Sequence, residues 1–166
     1  MSELENKLAL ITGGATGIGK AIAEVFSQNG SRVIIIDISK EEGEMLAKDL
    51  GGSYYYADLT NQIETEKICD EVLDQHGNID ILVNNAGTAG PTAAVEDINL
   101  EDWHNCVAVN LTSAFIGIQQ AIPRLKVSGG GSIVILSSAA GKFGFAMRSP
   151  YVASKWGIVG LTRTTA

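Results

Sequence analysis

The chain has 166 residues, 45% apolar and 19% charged, a globular composition that supports one domain and one core and excludes a disordered segment. Twelve basic against nineteen acidic side chains leave a net charge of −7, which excludes recognition of nucleic acid or an anionic membrane through bulk charge but permits a local anion site. Cys69 and Cys106 make neither a disulfide framework nor a zinc-ligand spacing, and neither His76 nor His104 has a partner at metal-ligand spacing.

In chain order, a strand is expected over Lys7–Thr12, followed by the turn Thr12-Gly13-Gly14-Ala15-Thr16-Gly17-Ile18-Gly19. Ile18, Ala21, Ile22, Val25 and Phe26 repeat at helical spacing, and Gly30 closes that helix. A second strand runs over Arg32–Asp37. Ser39 with Glu42 reads as a capping box for a helix that carries Met45 and Leu46 and stops at Gly51. A third strand covers Ser53–Ala57. Asn61 with Glu64 opens a helix with Ile68, Val72 and Leu73 on one face and Gly77 after it. Ile79–Asn84 is the fourth strand. A longer helix starts near Asn99, with Trp103, Val107, Leu111, Ala114 and Ile118 as its buried stripe and Pro123 to kink or end it. The fifth strand spans Ser132–Ser137. Ser149-Pro150 then reads as an N-cap and first helical residue of a helix from about Tyr151.

Val33–Ile36 and Ile133–Leu136 are apolar at every position, the mark of strands covered on both faces. Strand and helix alternate throughout, so the expected fold is α/β: a doubly wound, Rossmann-type parallel sheet between two helix layers, residues 1–166 forming one dinucleotide-binding domain. The 19 glycines, about 11% against a usual level of about 7%, lie at the ends of apolar runs and mark tight turns. The acidic start Met1-Ser2-Glu3-Leu4-Glu5 does not read as a secretory signal, and no apolar run reaches the length of a membrane span, so a cytoplasmic location is expected.

Such sheets bind ligands beyond the carboxyl ends of their strands, so the residues just after each strand carry the chemistry. The glycines of the first turn let the backbone approach a pyrophosphate, which the following helix N-terminus favours. Gly13, Thr16, Gly17, Ile18 and Gly19 are therefore candidate dinucleotide contacts. Asp37 closes the second strand 24 residues after Gly13, where a carboxylate accepts hydrogen bonds from ribose hydroxyls and repels a 2′-phosphate, favouring NAD over NADP. Replacing Asp37 by alanine is expected to relax that choice. Asp58 and Leu59 are placed to meet the adenine, although an Asp before Thr60 is also plain turn chemistry. Asn84-Asn85-Ala86-Gly87 lets a loop pass close to a flat ligand, with Asn85, Ala86 and Gly87 as candidate contacts, although by itself it reads equally as a turn signal. Tyr151 and Lys155 lie one helical turn apart on one face. An ammonium roughly 6 Å away, at an effective dielectric of about 20, favours the phenolate by roughly 3 kcal/mol.

Together Gly13-x3-Gly17-x-Gly19, Asn84-Asn85-Ala86-Gly87, Asn110, Ser138 and Tyr151-x3-Lys155 resemble the short-chain dehydrogenase/reductase family, in register from about residue 6 to the last. The nearest likeness is to 3-oxoacyl-carrier-protein reductases and to sugar or polyol dehydrogenases. The resemblance implies that Tyr151 is the general acid/base, that Lys155 lowers the cost of its ionised form and holds the nicotinamide ribose, and that Ser138 binds the substrate oxygen. Ser138, not Ser137, is chosen because it stands 13 residues before Tyr151. Asn110 would hold the water of a proton relay to Lys155. The implied substrate is a small secondary alcohol or ketone, and the implied assembly is a homo-oligomer, dimer or tetramer.

The family pattern continues past the Tyr-Lys helix with two more strands and a substrate loop, so a longer enzyme is expected. The alternatives are a non-catalytic nucleotide-binding fragment or sensor and an NADP-dependent 3-oxoacyl-carrier-protein reductase. Trp103 reads as core, Trp156 as a possible subunit contact, and Arg148 either as a solvated loop residue or as an attractor for an acidic substrate group.

Overall fold

In the computed structural model, which describes residues 4–166, five strands form one parallel sheet: β1 (Leu8–Thr12), β2 (Arg32–Asp37), β3 (Ser53–Tyr56), β4 (Ile81–Asn84) and β5 (Ser132–Ile135). Residues 1–3 of the expected acidic start lie outside the described residues. The strand order is β3-β2-β1-β4-β5, so the direction of winding reverses between β1 and β4. Each expected strand forms, trimmed by one to two residues at an end or left intact as in β2. The helices are α1 (Gly17–Gln28), α2 (Lys40–Leu50), α3 (Gln62–His76), α4 (Leu100–Val107), α5 (Ser113–Val127) and α6 (Ser149–Thr165).

The unbroken apolar run of β2 is explained by two cores. Val33 and Ile35 point to one face with Ala9, Ile11 and Val83, where Ala23 of α1 and Leu46 and Ala47 of α2 cover them. Ile34 and Ile36 point to the other with Leu10 and Leu82, under Val72 of α3 and Ala121 and Leu125 of α5. Burying each such aliphatic side chain is worth about 1.5–3 kcal/mol before entropy is charged against it. β5 departs from this pattern. It is an edge strand, its residues are half-buried or exposed, and Val134 is 45% exposed.

Helix ends follow side-chain chemistry, with corrections. Asn61 and Asn99 cap as expected, accepting the amides of Glu64 and Asp102 at 3.2 and 2.8 Å, and Gly51 ends α2 in the left-handed conformation. The Ser39 capping box does not form, because the Ser39 amide is turned toward the Asp37 carboxylate. Ser149 is the first helical residue of α6, not its cap; Arg148 takes the cap position. On α1 the buried residues are Gly19 and Ala23, flanked by Ile22 and Phe26, while Ile18 is 67% exposed and Val25 also faces out. The helix must present Gly19 to the turn below it, and that rotation carries Ile18 outward.

The long helix expected from Asn99 is α4 and α5 joined through a π-turn at Ala108–Thr112. It continues past Pro123 to Val127, with Pro123 and Gln119 on its exposed side, where the carbonyl left without an amide partner meets solvent. Its buried side is Cys106, Asn110, Ala114, Ile118, Ala121 and Leu125, with Trp103, Val107 and Leu111 only half-buried. Leu100–Val127 is long and apolar enough by composition to cross a membrane, contrary to the expectation that no segment is; here it lies on the sheet and packs on α3 and α6.

Candidate functional site

Loops at the carboxyl ends of all five strands enclose a cleft of about 550 Å³ at the winding reversal between β1 and β4. The first wall is the turn after β1. Gly13 (φ +62°) and Gly17 (φ +54°) take backbone angles that side chains disfavour. A Cβ on Gly13 would come 2.8 Å from the Ala86 Cα, and one on Gly19 would sit on the Gly13 carbonyl oxygen, 2.5 Å from Asn85 Nδ2. Gly19 therefore lies beneath the turn and does not line the cleft, whereas Gly13, Thr16, Gly17 and Ile18 do.

Asn85 holds this turn. Its Nδ2 donates to the carbonyls of Thr12 and Gly13 at 3.0 and 2.8 Å, and the Asn85 and Ala86 amides donate to Thr12 Oγ1 at 3.1 and 3.2 Å. Asn85, with the Ala86 amide, is thus a clamp between the loops after β1 and β4, whereas Asn84 Nδ2 donates to the Ala114 carbonyl at 3.3 Å. Asn85, Ala86 and Gly87 still line the cleft.

Asp37 is buried and its carboxylate is engaged on both oxygens: Oδ2 accepts the Ala15 amide and Oδ1 the Ser39 amide, each at 2.9 Å. The Tyr54 hydroxyl donates to the Asp37 carbonyl at 2.8 Å, and burial beside that carboxylate pushes the Tyr54 phenol up to about 12. Asp58 lines the cleft, yet its Oδ1 accepts both the amide and the hydroxyl of Thr60 at 2.9 and 2.7 Å, so part of its role is turn chemistry. Leu59 lies beside it, buried.

The opposite wall brings Asn110, Tyr151 and Lys155 together. Lys155 is buried; its Nζ donates to the Leu136 carbonyl at 2.9 Å and lies 5.7 Å from the centre of the Tyr151 ring. Burial pushes the Lys155 ammonium below its ordinary value, with nearby Cys106 acting in the other direction. Asn110 sits on the π-turn, 2% exposed. Its side chain is engaged by backbone: Nδ2 donates to the Thr88 and Cys106 carbonyls, both at 2.9 Å, and Oδ1 accepts the Thr88 amide at 3.1 Å. The wider π-turn sets this side chain beside the loop after β4.

Of the two serines, Ser137 lines the cleft and donates to the Lys155 carbonyl at 3.0 Å. Ser138 is not among the lining residues; its Oγ accepts the Ala140 amide at 3.1 Å at the start of a 3-10 turn, Ala139–Gly141. That bond orients the Ser138 hydroxyl and leaves its hydrogen to donate. Sequence reasoning missed Ser39, Thr60, Thr88 and Leu136, which also line the cleft. Ser39 and Thr60 directly follow Asp37 and Asp58 by at most two residues, a proximity that was the available signal.

Arg148 is half-buried and forms no ion pair among the described residues. Its Nη1 donates to the carbonyls of Ala89 and Gly90 at 3.1 and 3.3 Å. Met147 before it is held at φ +64°, a conformation that costs a side-chain-bearing residue roughly 1–2 kcal/mol. Cys69 and Cys106 are buried, and burial pushes both thiols up, Cys69 to about 11.

The cleft fits a dinucleotide on its own terms. It has a glycine turn with no room for side chains at Gly13 and Gly19, the N-terminus of α1 beside it, a buried carboxylate at one end and a buried ammonium at the other.

A family model described as short chain dehydrogenase matches residues 7–166. The mitochondrial borneol dehydrogenase of Lavandula x intermedia is 38% identical over 167 residues, covering 100% of this chain and 64% of its own length. The 3-oxoacyl-acyl-carrier-protein reductase FabG of Thermotoga maritima is 39% identical over 168 residues, covering 98% of this chain and 68% of its own. The crystal structure of gox2181 superposes with a TM-score of 0.93 at 30% identity, over 98% of this chain and 66% of that one. The chain spans just under two thirds of the lavender protein.

Proposed function

Since the chain belongs to the short-chain dehydrogenase family, we propose that it binds a nicotinamide dinucleotide, NAD in preference to NADP, and interconverts a secondary alcohol and its ketone. The observation that carries this reading is the placement of Tyr151 and buried Lys155 at one end of a cleft whose other end is Asp37. The names of the two relatives, a borneol dehydrogenase and a 3-oxoacyl reductase, support the alcohol–ketone class.

Gly13, Thr16 and Gly17, with the N-terminus of α1, would hold the pyrophosphate. Asp37 would accept from the adenosine ribose, and Asp58 and Leu59 would border the adenine. Among the described residues lining the cleft Lys155 is the one cation, so no cleft-lining cation at the Asp37 end offsets the charge of a 2′-phosphate. That supports NAD. The bound cofactor supplies or accepts the hydride.

The chain's residues handle the proton and the oxygen. Tyr151 passes a proton to or from the substrate oxygen. Lys155 stabilises the phenolate across the 5.7 Å to the ring, strengthened by its low-dielectric burial. Ser138 donates its hydroxyl hydrogen to the same oxygen, oriented by the Ala140 amide. Asn110 holds the loop after β4 in place through Thr88.

The test is NADH formation across a panel of secondary alcohols, polyols and sugars, paired with cofactor titration by fluorescence. Turnover with at least one secondary alcohol is expected. Tight cofactor binding with no turnover on any panel member would replace this reading with that of a nucleotide-binding module.

A further inference from the structure

We propose that Arg148 is a positioning residue that fixes the Tyr151 turn against the cofactor wall of the cleft by latching the start of α6 to the loop after β4. The proposal rests on the acid–base reading of Tyr151.

The loop from Thr88 to Ala93 follows directly on the cleft residues Asn85–Gly87. Asn110 grips its first residue through the Thr88 amide and carbonyl. Gly90 is seated on Cys106: its φ is +62°, and a Cβ there would come 2.7 Å from the Cys106 sulfur. The remaining hold comes from across the cleft. Arg148 Nη1 spans the Ala89 and Gly90 carbonyls, and the Ala93 amide donates to the Met147 carbonyl at 3.1 Å.

Both latch residues abut the helix that carries the phenol. The Arg148 carbonyl accepts the Val152 amide at 2.9 Å, so the turn containing Tyr151 is built directly on Arg148. Met147 keeps its left-handed conformation only because its surroundings hold it, and the Ala93 bond and the Arg148 guanidinium on either side are that hold. Release of the guanidinium frees the loop and the helix start together. A small shift of a reacting group lowers turnover steeply while leaving distant binding contacts intact.

The experiment combines amide hydrogen exchange with steady-state kinetics on Arg148→Met and Arg148→Lys. In Arg148→Met the Ala93 and Val152 amides are expected to exchange about tenfold faster or more, with β1 and β2 amides unchanged, as expected for local opening. At saturating cofactor and alcohol kcat should fall by about tenfold, with the cofactor Kd within about twofold. Arg148→Lys, which keeps a cation and donors at similar reach, should recover part of both losses. Unchanged Ala93 and Val152 exchange overturns the latch. Faster exchange with undiminished kcat overturns the positioning of Tyr151, and equal acceleration in β1 and β2 overturns both in favour of general destabilisation. If the unsubstituted protein turns over no secondary alcohol, the functional reading fails, and the two amides still decide whether Arg148 holds that turn.

Discussion

The Asp37 carboxylate accepts the amide hydrogen of Ala15 at 2.9 Å, so the residue expected to choose the cofactor also closes the turn proposed to hold its pyrophosphate. A carboxylate that simply pointed into the cleft would be a removable selector. One that is bonded to the turn is not.

Asp37→Ala is therefore expected to do more than relax selectivity. A hydrogen bond to a charged group is worth about 1.5–3 kcal/mol, so affinity for NAD should fall by roughly ten- to a hundredfold. The NADP-to-NAD ratio should rise as repulsion of the 2′-phosphate disappears, while NADP affinity stays below that of the unsubstituted protein for NAD. Fluorescence titration with both cofactors decides. A variant that binds NADP as tightly as the parent binds NAD would show that the Ala15 bond contributes nothing.

Tyr151→Phe keeps the ring beside Lys155 and removes only the hydroxyl. Loss of a general acid/base should reduce kcat by roughly 10²–10⁴-fold with cofactor affinity unchanged. Retained turnover in this variant would move the proton transfer to another group.

Gly17 and Gly19 look alike in sequence but should respond differently to alanine. A Cβ on Gly17 meets open space, and only its φ of +54° is costly, so Gly17→Ala should lose about 1 kcal/mol and stay folded. A Cβ on Gly19 collides with the Gly13 carbonyl and the Asn85 amide, so Gly19→Ala should displace the turn and abolish cofactor binding. Thermal melts with and without cofactor separate the two; equal behaviour would contradict the clamp geometry.

Asp80 supplies a pH test at the opposite end of the sheet. Burial alone would push its carboxyl up, but the Leu8 amide at 2.9 Å, the Lys7 ammonium at 3.0 Å and the charge of Arg32 outweigh it and hold the carboxyl below its ordinary value. A lowered folded value means that the charged form stabilises the fold above about pH 4, and that this contribution is lost as pH falls through the folded value. Asp80→Asn should melt lower than the parent near pH 7, and the gap should close under acid. A gap that persists at low pH would assign the effect to packing, not charge.

Much of the site was readable because its residues follow strands. Position after β1, β2, β3 and β4 marks Gly13, Asp37, Asp58 and Asn85 in the sequence itself, since a doubly wound sheet gathers its strand ends at one rim. The division of labour among them was not readable. Asn85 and Asn110 donate to backbone carbonyls more than 20 residues away, Gly13 and Thr88, and a linear spacing rule carries no record of such partners. The face of α1 was misjudged for the same reason: periodicity counts apolar residues, whereas the rotation of that helix is set by a glycine that needs contact with Gly13. The apolar run of β5 reads as covered on both faces, whereas the strand stands at the sheet edge here with Val134 exposed.

The π-turn at Ala108–Thr112 makes the length of the long helix non-negotiable. A π-turn takes up one residue more than an α-turn over nearly the same rotation, so α4 and α5 stay close in phase across it. Deleting one residue there would close it to an ordinary α-turn with the flanking helices rotated little, and would take away the wide turn that sets Asn110 beside the loop after β4. Asn110 would then leave Thr88, while every hydrophobic position remained hydrophobic. Insertions and deletions in this stretch should thus be tolerated far less than substitutions.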